Sequence, residues 1–317
     1  MTPATSRKLR ILDGGMSREL VRLGAELRQP EWSALALMET PAIVAQVHAE
    51  FIEAGADIIT TNSYALVPFH IGEKRFRDEG LALAIRSGRL ARQAADARRD
   101  RKVLVAGSLP PIFGSYEPQN FDPSRAQDYL SVLVKGLAPH VDVWLSETLS
   151  STAEAEAALQ ATAGTRKPVW IAFALDDGDD AMAAAATRLR SGETVTEVAE
   201  WMAASKAEAL FFNCSQAEAM AGAVRAAAAV FVRMGAKIDI GVYANAFEPR
   251  KAAPKANTII CGTRGDLTPD LYARFAAEWA DAGATIIGGC CGIGVSHIHK
   301  LASAFGRHRT PRSALSE

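Results

Sequence analysis

Along the chain, short apolar runs rich in β-branched and aromatic residues alternate with longer alanine-rich stretches of helical period. Eight runs read as strands: residues 10–13, 57–62, 103–108, 142–147, 169–175, 209–214, 239–245 and 285–289. Most are nearly continuous in apolar residues (IIT, VLVAG, VWIAF, LFF), the pattern of parallel strands buried on both faces. Helical patterns fill the gaps at 41–54, 81–98, 152–163, 216–234 and 268–282. The first carries Ile43, Val44, Val47, Phe51 and Ile52 as one stripe and stops at Gly55; the last opens Thr-Pro-Asp and stops at Gly283. Eight strands with helical crossovers predict an α/β fold, a (β/α)8 TIM barrel in a single domain. The barrel domain is expected over residues 1–306, followed by a polar, basic tail over 307–317 that is expected to be loosely ordered. The first strand runs into Asp13-Gly14-Gly15-Met16, which is not the GxGxxG of a dinucleotide-binding fold. Residues 176–193 read as a long surface excursion after the fifth strand.

Composition narrows the class. The chain has 317 residues, and 35 Lys+Arg against 36 Asp+Glu leave a net charge of −1. That balance argues against a nucleic-acid partner, which needs a basic face. No run approaches the roughly 18 consecutive apolar residues of a transmembrane helix. Residues 1–10 are basic but lack the apolar stretch of a signal peptide. The expected location is the cytoplasm, where the four cysteines stay reduced. Oligomeric state is not legible from these features.

In such a barrel the chemistry gathers at the C-terminal ends of the strands. Those ends read Asp13-Gly14-Gly15, Thr61-Asn62-Ser63, Glu147-Thr148, Asn213-Cys214-Ser215, Tyr243-Ala244-Asn245 and Gly289-Cys290-Cys291-Gly292. Cys290 and Cys291 are adjacent, and neighbouring strand residues normally face opposite ways. Gly288, Gly289 and Gly292 allow the bend that would turn both inward. With Cys214 they could bind one soft divalent ion, Zn2+ being the natural choice, with one position left open. Two other readings stand beside this one. The thiols could be ordinary buried cysteines, or 288–294 could be a phosphate cradle of the kind barrels place after strands seven and eight. Cys261 reads as structural. Asp13 and Glu147 at one rim suggest recognition of an ammonium group, and the N–H groups of Gly14 and Gly15 could meet an anion such as a carboxylate. Asn62 and Asn245 are candidate ligand contacts. The six histidines show no metal-ligand spacing, and most read as helical or surface residues.

Taken together, these pieces resemble the homocysteine S-methyltransferase family. They are LDGGM with Glu19-Leu20, AGADIITTNSY over 54–64, Ala106-Gly107-Ser108, Ser146-Glu147-Thr148, Phe212-Asn213-Cys214-Ser215 and IGGCCG over 287–292. They fall in family order across about residues 10 to 305. The resemblance implies a zinc-dependent barrel that methylates homocysteine to methionine. Cys214, Cys290 and Cys291 would hold Zn2+ and serve catalysis, and Asp13 and Glu147 would hold the substrate ammonium. Asn245 would stand near the metal as an exchangeable oxygen ligand. A sulfonium donor, S-methylmethionine or S-adenosylmethionine, suits a site that three thiolates and a substrate thiolate make dianionic. Betaine, or a donor linked to cobalamin and folate, is the alternative within the family; a metal-free barrel enzyme acting on a phosphorylated substrate is the alternative outside it. Two segments depart from the family pattern: SYALVPF over 63–69 stands where the S-methylmethionine branch has Ser-Tyr-Gln-Ala-Thr, and GSLPPIFGSYEP over 107–118 is also a variant form.

Overall fold

The structure is a computed structural model that describes residues 9–178, 187–248 and 262–306. Cys261 and the tail over 307–317 lie outside the described residues. The strands are β1 (Arg10–Ile11), β2 (Ile58–Thr60), β3 (Leu104–Leu109), β4 (Val143–Leu149), β5 (Val169–Ala174), β6 (Ala209–Asn213), β7 (Asp239–Tyr243) and β8 (Ile286–Ile287). All pair in parallel, in the order β1-β8-β7-β6-β5-β4-β3-β2. A parallel bridge from Leu12 to Ile58 joins the two outer strands and closes the ring. The fold is a (β/α)8 TIM barrel.

The helices are α1 (Met16–Arg22), α2 (Ser33–Glu39), α3 (Pro41–Ala54), α4 (Pro68–Ile71), α5 (Glu73–Ala97), α6 (Pro123–Leu137), α7 (Thr152–Thr162), α8 (Val195–Ala204), α9 (Ala217–Met234), α10 (Pro269–Ala282) and α11 (Val295–Phe305). Local chemistry sets their ends. Ser151 with Glu154 and Thr194 with Glu197 form capping boxes at α7 and α8. Gly55 and Gly235 close α3 and α9 in the left-handed conformation. α5 begins at Glu73 rather than at 81, because its polar opening segment buries only Phe76 and Gly80 and shows no apolar stripe. Several helices, α6 and α8 among them, have no counterpart in the sequence reading: their signals are a capping residue and a few buried positions.

Two apolar layers hold the molecule together. One packs the helices on the outside of the barrel. The other fills its interior with Leu12, Ile58, Ala106, Leu145, Trp170, Phe211, Tyr243 and their neighbours. Trp170 and Phe211 lie 5.4 Å apart between ring centroids, and Phe211 and Tyr243 lie 5.9 Å apart. Gly241 makes this packing possible, since a Cβ there would fall 2.0 Å from the Phe211 ring. The interior column ends at the Tyr243 hydroxyl, at the mouth where the strands' C-terminal ends open into a cavity. The excursion after β5 is not all surface: Leu189 is buried and bridges Leu175. No helix among the described residues is long and apolar enough to cross a membrane.

Candidate active site

Three loops bring the cysteines together. Cys214 follows β6 directly, with φ 49 in the left-handed region. Ser215 pins that turn, its hydroxyl accepting from Leu175 N at 2.8 Å. β8 stops at Ile287, two residues short of the expected end, so Gly288 and Gly289 belong to the loop. This is how two adjacent cysteines come to share a target: they sit in a turn, closed by Ile293 N donating to Cys290 O at 3.0 Å. The loop after β1 presses on the same turn, with Gly15 N donating to Ile293 O at 2.8 Å and Gly289 N donating to Asp13 O at 2.9 Å. Gly15 must be glycine for this approach, since a Cβ would lie 2.4 Å from Cys290 O.

The Sγ atoms of Cys214, Cys290 and Cys291 all lie within 4.8 Å of one another, a cluster able to hold a metal ion. A tetrahedral zinc with bonds of about 2.3 Å spaces its sulfurs about 3.8 Å apart, so the trio fits such an ion with little movement. Hydrogen bonds from Cys290 and Cys291 hold the Cys214 thiol well below its ordinary pKa. Their bonds to Cys214, with burial, push Cys290 and Cys291 well above theirs. The Tyr116 hydroxyl donates to Cys214 Sγ at 2.9 Å.

Asp13 and Glu147 occupy the same mouth. Asp13 is buried, and its carboxylate accepts from Thr60 N at 2.7 Å and from Thr60 Oγ1 at 2.6 Å. Glu147 is aimed inward by an irregularity in β4, where pairing with β5 shifts between Ser146 and Leu149 and Thr148 takes φ 61. The Asn213 side chain fixes this bulge, accepting from Thr148 N at 3.0 Å and donating to Thr148 Oγ1 at 2.8 Å. Ser108 Oγ and Tyr243 OH donate to the Glu147 carboxylate. Burial raises both carboxyl groups to a pKa of about 7, against the lowering effect of these hydrogen bonds.

A cavity of about 190 Å³ joins these groups. Asp13, Gly14, Glu147, Asn62 and all three cysteines line it. Asn62 also donates through Nδ2 to Ser33 O at 3.1 Å, so part of its polar capacity is spent on the fold. Two expectations need correction. Gly15 N–H is taken by Ile293 O, which leaves Gly14 alone of the pair to meet an anion. Asn245 is not on the cavity wall. Its Oδ1 accepts from Phe247 N at 3.1 Å, and its Nδ2 faces Cys214 Sγ at 3.9 Å. That bond occupies one of the two lone pairs of the Asn245 oxygen. The phosphate-cradle alternative meets an obstacle, because the N–H groups of Gly288, Gly289 and Cys290 are all given to protein carbonyls.

Sequence reasoning missed several wall residues: Trp32, Tyr64, His70, Tyr116 and Phe247. They lie on loops or on the short α4, where no periodicity marks them. His70 lies in α4, as the helical reading of the histidines expects; it is buried, its Nδ1 donates to Pro30 O at 2.8 Å, and burial lowers its pKa. Among the described residues no lysine or arginine lines the cavity.

A barrel with a trio of thiols able to hold a metal ion and two carboxylates of raised pKa at its C-terminal mouth has the make-up of an enzyme that works on sulfur. The family model described as Homocysteine S-methyltransferase matches residues 10–305. The chain belongs to that family, and it is a methyltransferase. It is 29% identical to the selenocysteine methyltransferase of Astragalus bisulcatus over 89% of this chain and 88% of that one. It is likewise 29% identical to homocysteine S-methyltransferase 1 of Arabidopsis thaliana, over 92% and 91% of the two chains. Its fold superposes on the metallated form of the homocysteine methyltransferase MmuM from Escherichia coli with a TM-score of 0.75, at 27% identity over 93% of this chain and 96% of that one.

Proposed function

We propose that this protein moves a methyl group from a sulfonium donor, S-methylmethionine or S-adenosylmethionine, to homocysteine, giving methionine, at a zinc ion held by Cys214, Cys290 and Cys291. The observation that carries this reading is the trio of sulfurs within 4.8 Å of one another on the wall of a cavity shared with Asp13 and Glu147. The ion supplies a thiolate at neutral pH from a thiol whose free pKa is about 8.5. The chain does the rest. Asp13 and Glu147 receive the homocysteine ammonium, which pulls their raised pKa values back down and keeps both charged. Gly14 N–H and the Asn62 amide are at hand for the carboxylate. Aligning acceptor and donor for in-line attack is the enzyme's main contribution to rate.

The wall chemistry favours a cationic donor. Its ionisable groups are the two carboxylates, the thiols, His70, whose pKa burial lowers, and three tyrosines, Tyr64, Tyr116 and Tyr243, whose phenols burial keeps protonated. The aromatic wall residues Trp32, Tyr64 and Phe247 are of the type that makes cation–π contacts to an onium centre. A phosphorylated substrate would meet no lysine or arginine among the described wall residues. Reduced thiols are the working form, in keeping with a cytoplasmic location.

The test is methionine formation by the zinc-loaded protein with homocysteine and a panel of donors: S-methylmethionine, S-adenosylmethionine, betaine and methyltetrahydrofolate. Selenocysteine serves as a second acceptor. Turnover is expected with a sulfonium donor and should disappear, together with bound zinc, in Cys214→Ser. Turnover with betaine alone, or undiminished activity in Cys214→Ser, would overturn the reading.

A further inference from the structure

One contact at the sulfur cluster has no part in the scheme above. Tyr116 lies in the loop between β3 and α6, within the second segment that departs from the family pattern. Its hydroxyl donates to Cys214 Sγ at 2.9 Å and approaches Cys214 O at 3.4 Å. Both partners have left-handed backbone, φ 67 at Tyr116 and φ 49 at Cys214. Residues with a Cβ hold that conformation only where the surroundings impose it. The surroundings are specific. The Arg190 guanidinium lies over the Tyr116 ring, 4.5 Å from its centroid. Arg190 pairs with Asp177 at 2.5 Å, and the second Asp177 oxygen accepts from Gln216 N at 2.9 Å, two residues beyond Cys214. On the other side, Ser115 and the Tyr64 hydroxyl meet at 2.5 Å, joining the two variant segments. Tyr116 and Cys214 both line the cavity.

The arrangement bears on a hazard built into the proposed chemistry. A donor that methylates one thiolate can methylate another, and the cysteine ligands stand beside the substrate sulfur. In that side reaction the donor's S–CH3 bond breaks, with its electron pair staying on the donor sulfur as a thioether. A new S–CH3 bond forms on Cys214, which becomes a neutral thioether and a poor ligand. A hydrogen bond from a phenol occupies a sulfur lone pair and draws off charge, and a cation over the ring makes the phenol a stronger donor. We propose that Tyr116, backed by Arg190, caps the Cys214 sulfur against alkylation and so directs the methyl group to the substrate sulfur. Tyr116 is then a specificity-determining residue for the methyl acceptor. This inference rests on the metal–thiolate reading above.

The test uses iodomethane as the probe on zinc-loaded protein whose metal content has been measured. Methylation at each cysteine is followed by proteolysis and mass spectrometry. Tyr116→Phe is expected to speed methylation of Cys214 by about tenfold or more, the loss of one charge-assisted hydrogen bond, while Cys290 and Cys291 change by less than about twofold. Zinc release should follow Cys214 methylation in time. Arg190→Met keeps the hydroxyl but removes the cation. It should give a smaller rise at the same cysteine, and it keeps the proposal testable if Tyr116→Phe does not fold. Unchanged Cys214 rates in both variants, or an equal rise at all three cysteines from a merely opened pocket, would overturn the cap. A wild-type protein that takes up no zinc would overturn the metal reading and the cap together, whereas zinc uptake with unchanged rates would overturn the cap alone.

Discussion

Asp13 is buried and Glu147 half-buried at the barrel mouth, and burial raises the pKa of both carboxyl groups. With pKa values of about 7, protons would compete across the neutral range with the ammonium group that these carboxylates are proposed to bind. The expected outcome is that KM for homocysteine climbs as pH falls below about 7, and that Glu147→Gln raises KM by about tenfold or more and flattens this dependence. Steady-state kinetics at several pH values checks it; an unchanged KM in Glu147→Gln would remove that residue from ammonium binding. His48 makes an opposite kind of residue-scale statement. It is fully buried in α3, neither ring nitrogen has a hydrogen-bond partner among the described residues, and desolvation lowers its pKa from 6.5 to about 4. Between those two values the unfolded chain binds a proton that the folded chain refuses. This group's contribution to stability therefore falls as pH drops from 6.5 toward 4, by up to about 3 kcal/mol. Denaturant unfolding of His48→Phe should show a shallower acid loss than wild type; equal slopes would contradict the assignment.

At the scale of elements, the site depends on loops pressing on loops. The turn carrying Cys290 and Cys291 is held by the loop after β1, and Gly15 permits the contact. Gly15→Ala drives a Cβ against backbone rather than a movable side chain, so the cysteine turn must shift. A loss of zinc affinity of about tenfold to a hundredfold, read by competition with a chelator, is the expected outcome, as for other groups that support metal ligands. Unaltered affinity would show that the turn is set elsewhere. This scale also separates what the sequence could reveal from what it could not. The eight strands were legible because buried parallel strands are apolar throughout, and the cysteines were legible because an adjacent pair between glycines is unusual. The inward aim of Glu147 was not, since it comes from a bulge that Asn213 fixes across β4 and β6, a contact between positions far apart in sequence. Nor was the commitment of the Asn245 oxygen to Phe247 N–H, because a side chain's choice of partner is decided by the folded loop. Tyr116 was marked only as part of a variant segment, and its place at the sulfurs is set by an irregular loop whose left-handed backbone appears only in three dimensions.

For the whole molecule, the barrel closes through its own hydrogen bonds and its filled interior, and the sulfur cluster sits at its mouth rather than in its core. Chelating the metal is therefore expected to abolish turnover while leaving far-UV circular dichroism intact; unfolding on chelation would instead mark the ion as structural. Oxidation should act on the same place. Mild peroxide is expected to join two of the clustered cysteines, expel zinc and stop turnover, with a thiol reductant and added zinc restoring it. On the proposed function, three sulfurs of this chain hold the ion and leave one position for the sulfur of homocysteine. X-ray absorption at the zinc edge, with and without homocysteine, tests it most directly. Three sulfurs at about 2.3 Å with one lighter atom are expected, becoming four sulfurs when homocysteine is added. Four protein ligands that homocysteine leaves undisturbed, or fewer than three sulfurs at the outset, would contradict it.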